Sequence, residues 1–385
     1  MKRYQSILLL LLLLPAFIAC NKKPKKAPPR KSNYIFSPVL DLPALAVNNQ
    51  NSSGTCWSFS TASFLESEII RLKGEKIDLS EMYFVRCAYL LKAQNYILRQ
   101  GTARFTEGGL NHDPLITALE FGVLPQSVYS GLVNGNTEHN HFKMFAELEK
   151  RAKKFADPRN QLGAAWRTEL PAVLDSFLGK APSVFEYQGK TYTPAGFLAY
   201  TQLKPEDYVT ITSFSHVPFY KSFVLSIPAN WAYERYYNLP LDELIANIDH
   251  ALDQGFSLAL DLDGTEPTFF VGEGIGVLPE RDEDRELIRT DICPEKRVTQ
   301  EMRQAAFENF ATTDDHLMHI TGRVKDQRGN IYYKTKNSWG PKAGREGFMY
   351  LSIPYIRMKA ISVMLHKDGL ADSTRQNIEK NMVKI

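Results

Sequence analysis

The sequence predicts an α+β fold with two lobes, one mainly helical and one rich in strands. In the first half, Ala62, Leu65, Ile69 and Leu72 recur at steps of three and four, which marks one face of a helix. Past residue 310 the pattern changes to short strands, and "KDQRGN" between two of them is typical of a hairpin turn. Helical segments followed by strand segments indicate an α+β protein.

Five further segments support this division. Residues 79–97 begin with a Ser-Glu start signal, and residues 143–181 are largely helical in pattern, with loops near Pro158 and Gly163. "LDELIANIDHALDQG" predicts a helix, and the apolar run "FSLALDLD" after it predicts a buried strand. The tail "ADSTRQNIEKNMVKI" also has a helical pattern.

The first 33 residues predict export. Two basic residues precede an apolar run that ends at Cys20, and this run is shorter than the roughly 20 residues that span a bilayer. Residues 1–20 are therefore predicted to be a signal peptide. "FIAC" resembles a bacterial lipobox, which predicts a lipid on Cys20, and residues 21–33 form a charged, proline-stiffened tether. We expect a membrane-anchored lipoprotein in the bacterial periplasm or at the cell surface; a soluble secreted protein is the alternative.

Charge and cysteine content exclude several functions. Residues 1–31 hold eight of the 46 lysines and arginines and none of the 43 acids, so the rest of the chain is mildly acidic. This argues against nucleic acid as the main partner. No Cys/His cluster has metal-site spacing, so neither a metal nor a cofactor is expected. With Cys20 set aside, Cys56, Cys87 and Cys293 remain, so at least one thiol is unpaired within the chain.

Cys56, in "QNSSGTCWSFSTASF", lies at the predicted start of a helix. Unsatisfied N–H groups and the helix dipole favour negative charge there, which predicts a thiol pKa below its usual value of about 8.5. Gln50, six residues earlier, can reach the same point across a tight turn and supply an amide donor to an oxyanion. Together they suit acyl transfer through a cysteine nucleophile.

Among the eight histidines, His316 has the most informative context. It opens a predicted strand after "TTDD", and the following hairpin leads to Asn337, whose amide can hold the ring in one tautomer. Trp339 can shield that hydrogen bond from water. His319 lies three residues further along the strand and points to the opposite face, so a structural role is expected for it.

The motifs "Q-x5-CWSF", "DH-x5-G" and "NSWG" resemble those of the papain-like cysteine peptidases, in the same chain order. The resemblance implies a papain-like two-lobe fold. It also implies that Cys56 is the nucleophile, His316 the general base and acid, Asn337 its orienting partner and Gln50 an oxyanion donor. Such an enzyme would act on peptide substrates.

Three residues are expected to contact substrate. Gly109 follows another glycine, and residues without Cβ let an extended peptide approach the wall of a cleft and pair its backbone. A turn before a helix is the alternative explanation for this glycine pair. Trp57, next to the nucleophile, and Trp339 are the other two.

Two more segments, "LSEMYFVRCAYLLKAQNYI" and "EFGVLPQSVYSG", resemble the bleomycin hydrolase and aminopeptidase C branch. That branch carries a large helical insertion, which fits the roughly 110 residues by which the Cys-to-His separation exceeds the usual papain spacing. We therefore expect one peptidase domain at 34–385, with a helical lobe at 34–135, a large mainly helical insertion at 136–235 and a β-rich lobe at 236–385. The resemblance implies an aminopeptidase.

The resemblance also bears on assembly and on the other thiols. Members of the branch form hexameric cages, so the sequence leaves the oligomeric state of this chain undecided between a monomer and an oligomer. Ser53 stands where secreted papain relatives often place a cysteine that pairs with one near Cys87. Cys87 is therefore expected to be an inert buried thiol, with a Cys87–Cys293 bridge as the alternative.

Two other functions remain open from the sequence. One is a catalytically inactive binding protein that keeps the fold and is displayed on a membrane. The other is an amidase or acyltransferase that uses the same Cys-His-Asn triad on a non-peptide substrate, since that geometry is shared across such reactions.

Overall fold

The computed structural model describes residues 32–382 of the chain. The predicted signal peptide, its Cys20 and nearly all of the predicted tether lie outside the described residues. Within residues 32–382, no helix is long and apolar enough to cross a membrane.

Helices dominate the first half of the described chain, as predicted. In chain order they are α1 (Cys56–Lys73), α2 (Glu81–Leu98), α3 (His112–Phe121), α4 (Phe142–Ala156), α5 (Trp166–Leu178), α6 (Pro194–Thr201), α7 (Leu241–Asp253), α8 (Arg285–Ile288), α9 (Gln300–Glu308), α10 (Ile353–Lys359) and α11 (Asp372–Met382). The last of them confirms the helical pattern of the tail.

Strands dominate the second half. In chain order they are β1 (Ser37–Asp41), β2 (Phe185–Tyr187), β3 (Lys190–Tyr192), β4 (Tyr208–Thr212), β5 (Ser222–Val224), β6 (Arg235–Asn238), β7 (Leu258–Leu262), β8 (Phe269–Phe270), β9 (Ile275–Gly276), β10 (His316–Lys325), β11 (Ile331–Lys336), β12 (Phe348–Ser352) and β13 (Ala360–His366). Ten lie in one mixed sheet in the order β5-β6-β4-β13-β7-β10-β11-β12-β9-β8, with β1 paired to β10 beside this path. Strands β2 and β3 form a separate hairpin.

Helix α1 is the link between the two lobes. Residues Cys56 to Ile69 are all buried, because α1 packs on α2 and α3 on one side and on β7 and β10 on the other. Polar side chains of α1 form hydrogen bonds inside the protein; the hydroxyl of Ser58, for example, donates to the carbonyl of Glu81. Gly74 caps the C-terminal end of the helix, and its left-handed conformation (φ 71°) suits a residue without Cβ.

The predicted hairpin at "KDQRGN" is formed by β10 and β11, which pair in antiparallel register. Asp326 closes the turn, since its carboxylate accepts from the backbone N–H groups of Arg328 and Asn330. The two strands are bent by a register shift between Ile320 and Gly322, where β1 crosses so closely that a Cβ on Gly322 would lie 2.1 Å from the carbonyl oxygen of Leu40.

The predicted insertion at 136–235 is helical in its first part, where α4, α5 and α6 pack on the helical lobe. Its later part joins the main sheet: β4 lies between β13 and β6. The sequence "YVTIT" of β4 is rich in β-branched residues, which favour a strand. The sheet therefore begins before the predicted boundary at residue 236.

Candidate active site

His316 and Asn337 meet at the open end of the β10–β11 hairpin. The register pairs His319 with Lys336, so His316 and Asn337 come together just beyond the last pair. The Nε2 atom of His316 lies 2.9 Å from Oδ1 of Asn337. The backbone N–H of Ser338 donates to the same oxygen at 2.8 Å, which fixes the amide oxygen toward the ring. Nε2 is therefore the protonated nitrogen of a neutral ring, and Nδ1 is the proton acceptor.

Aromatic side chains enclose the His316 ring. Trp339 stacks on it with ring centroids 4.6 Å apart and planes at 25°, and Phe269 meets both rings edge-on at 6.3 Å. Burial lowers the pKa of His316, opposed by its hydrogen bond with Asn337 and by the charge of Asp315. Trp339 thus occupies the shielding position that the sequence predicted.

Cys56 lies at the first residue of α1 and faces the start of β10. Its sulfur interacts with the backbone N–H groups of Trp57 and of Leu317, the residue after His316. The nucleophile candidate and the base candidate are thereby brought to the same place, although 260 residues separate them in the chain. The residue is 9% exposed.

Burial and the helix terminus act on the Cys56 thiol in opposite directions. Burial raises the pKa of Cys56 to about 12, against the two backbone N–H groups, which lower it. Removal of a charged sulfur from water thus outweighs the helix terminus. Proton transfer to Nδ1 of His316 offers the sulfur a route to the reactive thiolate.

Gln50 and Ser338 form two hydrogen bonds with each other across the site. The hydroxyl of Ser338 donates to Oε1 of Gln50 at 2.6 Å, and the backbone N–H of Gln50 donates to the carbonyl of Ser338 at 2.9 Å. Nε2 of Gln50 donates one hydrogen to the carbonyl of Ser53 at 2.6 Å and keeps a second one. Ser338 therefore fixes which way the Gln50 amide points. Sequence reasoning missed this role, although Ser338 stands inside the "NSWG" motif.

Gly109 belongs to a close-packed wall. A Cβ at this position would lie 2.4 Å from Oδ2 of Asp113 and 3.0 Å from the ring of Trp57, so only glycine fits without a shift. The expected substrate contact of Trp57 needs correction, because this side chain is 0% exposed. Its indole N–H donates to the carbonyl of Glu107 at 3.0 Å, so Trp57 supports the wall from behind.

Lys92 also supports this wall, and sequence reasoning missed it. The side chain is buried, and its ammonium donates to the carbonyl of Thr106 at 2.5 Å and to that of Gly108. Asp113 attracts the same ammonium. A lysine within the apolar pattern of α2 was the available signal, since a buried lysine needs partners.

Two groups of predicted structural residues lie apart from the reaction centre. His319 faces α1, where its Nδ1 lies 3.0 Å from Oγ of Ser63, so it packs on the face opposite to His316 as predicted. Cys87 is buried and Cys293 partly buried, and both are free thiols. The alternative of a Cys87–Cys293 bridge is therefore excluded.

Comparison with protein families decides the class of this chain. Residues 42–147 match the papain family of cysteine proteases, and residues 103–385 match the Peptidase C1-like family. The chain belongs to the Peptidase C1-like family. It is a cysteine peptidase by family.

Curated relatives of this peptidase carry aminopeptidase and proteinase names. It is 23% identical to aminopeptidase G of Lactobacillus delbrueckii subsp. lactis, over 91% of this chain and 87% of the relative. It is also 23% identical to aminopeptidase C of Streptococcus thermophilus, over 88% and 84%. Mitochondrial cysteine proteinase 1 of Saccharomyces cerevisiae (strain ATCC 204508 / S288c) is 21% identical, over 87% and 77%.

A solved structure confirms the predicted fold of the peptidase. PepW from Lactobacillus rhamnosis HN001 superposes with a TM-score of 0.69 at 21% identity, over 90% of this chain and 86% of the other. The two-lobe α+β architecture predicted from the motifs is therefore the papain-like fold.

Proposed function

We propose that this cysteine peptidase uses Cys56, His316, Asn337 and Gln50 to hydrolyse peptide bonds and that it acts as an aminopeptidase. The observation that carries the catalytic part is the hydrogen bond from His316 Nε2 to Asn337 Oδ1, beside a thiol that interacts with the backbone of Leu317. The aminopeptidase part rests on the names of the relatives. A bound peptide lies between the sulfur and the wall at Gly109.

Acylation proceeds by two proton transfers through His316. Nδ1 of the neutral ring takes the proton of the Cys56 thiol while the sulfur attacks the peptide carbonyl carbon. The carbonyl oxygen becomes an oxyanion and receives hydrogen bonds from Nε2 of Gln50 and from the backbone N–H of Cys56. The imidazolium then gives its Nδ1 proton to the amide nitrogen, the C–N bond breaks, and the amine leaves a thioester on Cys56.

Deacylation reverses these roles. His316 takes a proton from water, the hydroxide attacks the thioester carbonyl, and the C–S bond breaks. The thiolate regains its proton from the imidazolium, and the carboxylic acid product departs. Throughout, Asn337 keeps Nε2 protonated, so that Nδ1 remains the exchanging atom.

The test compares hydrolysis of matched fluorogenic peptides with a free and an acetylated amino end, over several side chains at the first residue. Preference for the free end supports an aminopeptidase, and equal cleavage of both indicates an endopeptidase. Cleavage of neither would overturn the proposal and favour the amidase or acyltransferase. Cys56→Ala is the control for turnover, and labelling by iodoacetamide at low concentration should be lost in it while Cys87 and Cys293 stay unreactive.

We also propose that a lipid on Cys20 anchors the peptidase to a membrane of a bacterial envelope. The support is the sequence pattern alone, an apolar run that ends in "FIAC". Cells that express the full chain should hold it in the membrane fraction and incorporate a labelled fatty acid into it. Cys20→Ala should abolish the label; a label that persists in this variant would contradict the proposal.

A further inference from the structure

Residues 225–234 connect β5 to β6, are called here the bridging loop, and contact both lobes. On the helical lobe, the indole N–H of Trp231 donates to Oδ2 of Asp113 at 2.8 Å. On the sheet lobe, the carboxylate of Asp314 accepts from the backbone N–H of Ala229. Because Asp113 packs against Gly109, the bridging loop contacts the helical lobe beside the glycine wall.

The bridging loop is rigidly built. The side chain of Asn230 donates to the carbonyls of Leu225 and Glu234 at 3.0 Å and accepts from the N–H of Glu234 at 2.9 Å. Leu225 and Ile227 are buried against Leu110, next to the glycine wall. The bridging loop is thus fixed by its own hydrogen bonds and by packing beside the glycine wall.

Asp314 contacts the bridging loop at Ala229 and lies two residues before His316. The carboxyl group of Asp261 lies behind it. Asp261 is 0% exposed in β7 and pairs in register with Leu317, whose N–H contacts the Cys56 sulfur. Leu317 packs with residues of α1, so the Asp261 side chain faces the helical lobe and the groove.

Asp261 lacks the partners that a buried carboxylate requires. Among residues 32–382, no donor meets either of its buried oxygens with full hydrogen-bond geometry, although the Ser362 hydroxyl lies close enough to lower its pKa. Its close neighbours are the carboxyl of Asp314 and the hydroxyl of Ser362. A proton held by Asp261 and donated to Asp314 satisfies both groups and leaves one negative charge on the pair. Burial raises the pKa of Asp261 well above its usual range and that of Asp314 to about 6, which agrees with this arrangement.

We propose that Asp314, backed by Asp261, binds the protonated amino group of the substrate at the end of the groove beside the bridging loop. One negative charge matches one ammonium, and the pair forms no ion pair with a lysine or arginine within the described chain, although Arg104 attracts Asp314 from the surface. The inference rests on the proposed function, since it supplies the feature that turns a papain-like groove into an aminopeptidase site. The expected source is the α-amino group; a lysine side chain offers the same chemistry.

The test is Asp314→Asn, which removes the charge and keeps an oxygen for the N–H of Ala229. We expect the ratio of kcat/KM for a free-amino substrate to that for its acetylated counterpart to fall about 10- to 100-fold, the effect of losing a hydrogen bond to a charged group. The loss should appear in KM of the free substrate. Asp315→Asn removes the same charge one residue away at an exposed position and should leave the ratio within about twofold.

Other outcomes discriminate between explanations. A ratio that Asp314→Asn leaves unchanged, or activity on both substrates that falls in parallel, would overturn the inference and make Asp314 a structural residue. If blocked peptides with lysine are preferred over norleucine and only this preference depends on Asp314, the pair binds a side-chain ammonium, which counts against the aminopeptidase assignment.

A binding measurement separates this inference from the proposed chemistry. In Cys56→Ala, the affinities for a dipeptide amide and for its acetylated form can be compared by calorimetry. Tighter binding of the free form that is lost in Cys56→Ala/Asp314→Asn supports the subsite even if the wild type hydrolyses neither peptide. Equal binding of both forms would overturn the subsite even if hydrolysis is efficient.

Discussion

The reaction centre and the bridging-loop end of the groove are built in different ways. Gln50 and Cys56 come from one short motif, and Asn337 lies at the end of the hairpin that His316 opens, so few contacts assemble the chemistry. The bridging-loop end joins Asp113, Trp231 and Asp314 from three distant segments. The residues of the proposed chemistry thus stand in short local motifs, whereas the proposed selectivity depends on packing between distant segments.

The largest expected effect is a difference in activity between variants of two histidines in β10, His316 and His319. His316→Ala should lower kcat by about 10²- to 10⁴-fold, because it removes the general base and acid. His319→Ala should cost mainly stability, since that ring contacts Ser63 and Phe64 of α1. Steady-state kinetics and thermal unfolding of both variants provide the check. A larger loss of kcat in His319→Ala than in His316→Ala would assign the general base to His319.

The next effect concerns the oxyanion donor. Gln50→Ala should lower kcat by about 10²- to 10³-fold, the usual cost of removing one such donor. Ser338→Ala leaves Gln50 in place but releases its Oε1, so the loss should be smaller and in the same direction. Single-turnover acylation isolates the step. If Ser338→Ala lost more activity than Gln50→Ala, Ser338 would have a role beyond orienting the amide.

The sequence could predict that the residues of the proposed reaction centre come together, because they stand in short motifs with fixed spacing. The raised pKa of the Cys56 thiol could not be predicted, since burial depends on the whole fold and here outweighs the helix terminus. The strand β4 was missed for a related reason, because its neighbour β13 lies about 150 residues away in the chain. Asp261 left one usable signal, an acid inside the apolar run "FSLALDLD".

A third prediction tests the wall that joins the two regions. Gly109→Ala should raise KM about tenfold, because the added Cβ meets Asp113 and Trp57 at 3.0 Å or less and overpacking of this kind costs about 1–3 kcal/mol. Gly108→Ala is a matched control, since a Cβ there has nothing within 4 Å. Kinetics on the free-amino substrate decide the matter; equal changes in both variants would mean that the wall does not contact substrate.

The smallest effect is a pH dependence of the selectivity. The pKa of Asp314 is raised to about 6, so this carboxylate becomes neutral as the pH falls through that value and should lose its attraction for an ammonium. The ratio of kcat/KM for free and acetylated substrates should therefore decline between pH 7 and pH 5. Titration of Cys56 and His316 cancels in the ratio, and the substrate α-amino group, with a pKa of about 7.7–8.0, stays protonated over this range.

Several other groups act on Asp314, and their directions are known. The carboxylate of Asp315 raises its pKa, whereas the charge of Arg104 and the hydrogen bonds from Asp261 and from the Ala229 N–H lower it. Cys56 and Tyr236 also lie near the pair, and burial raises the pKa of each. In Asp314→Asn the ratio should be flat from pH 5 to pH 7. A slope that persists in this variant would assign the titration to another group, and selectivity at the bridging-loop end would then not depend on Asp314.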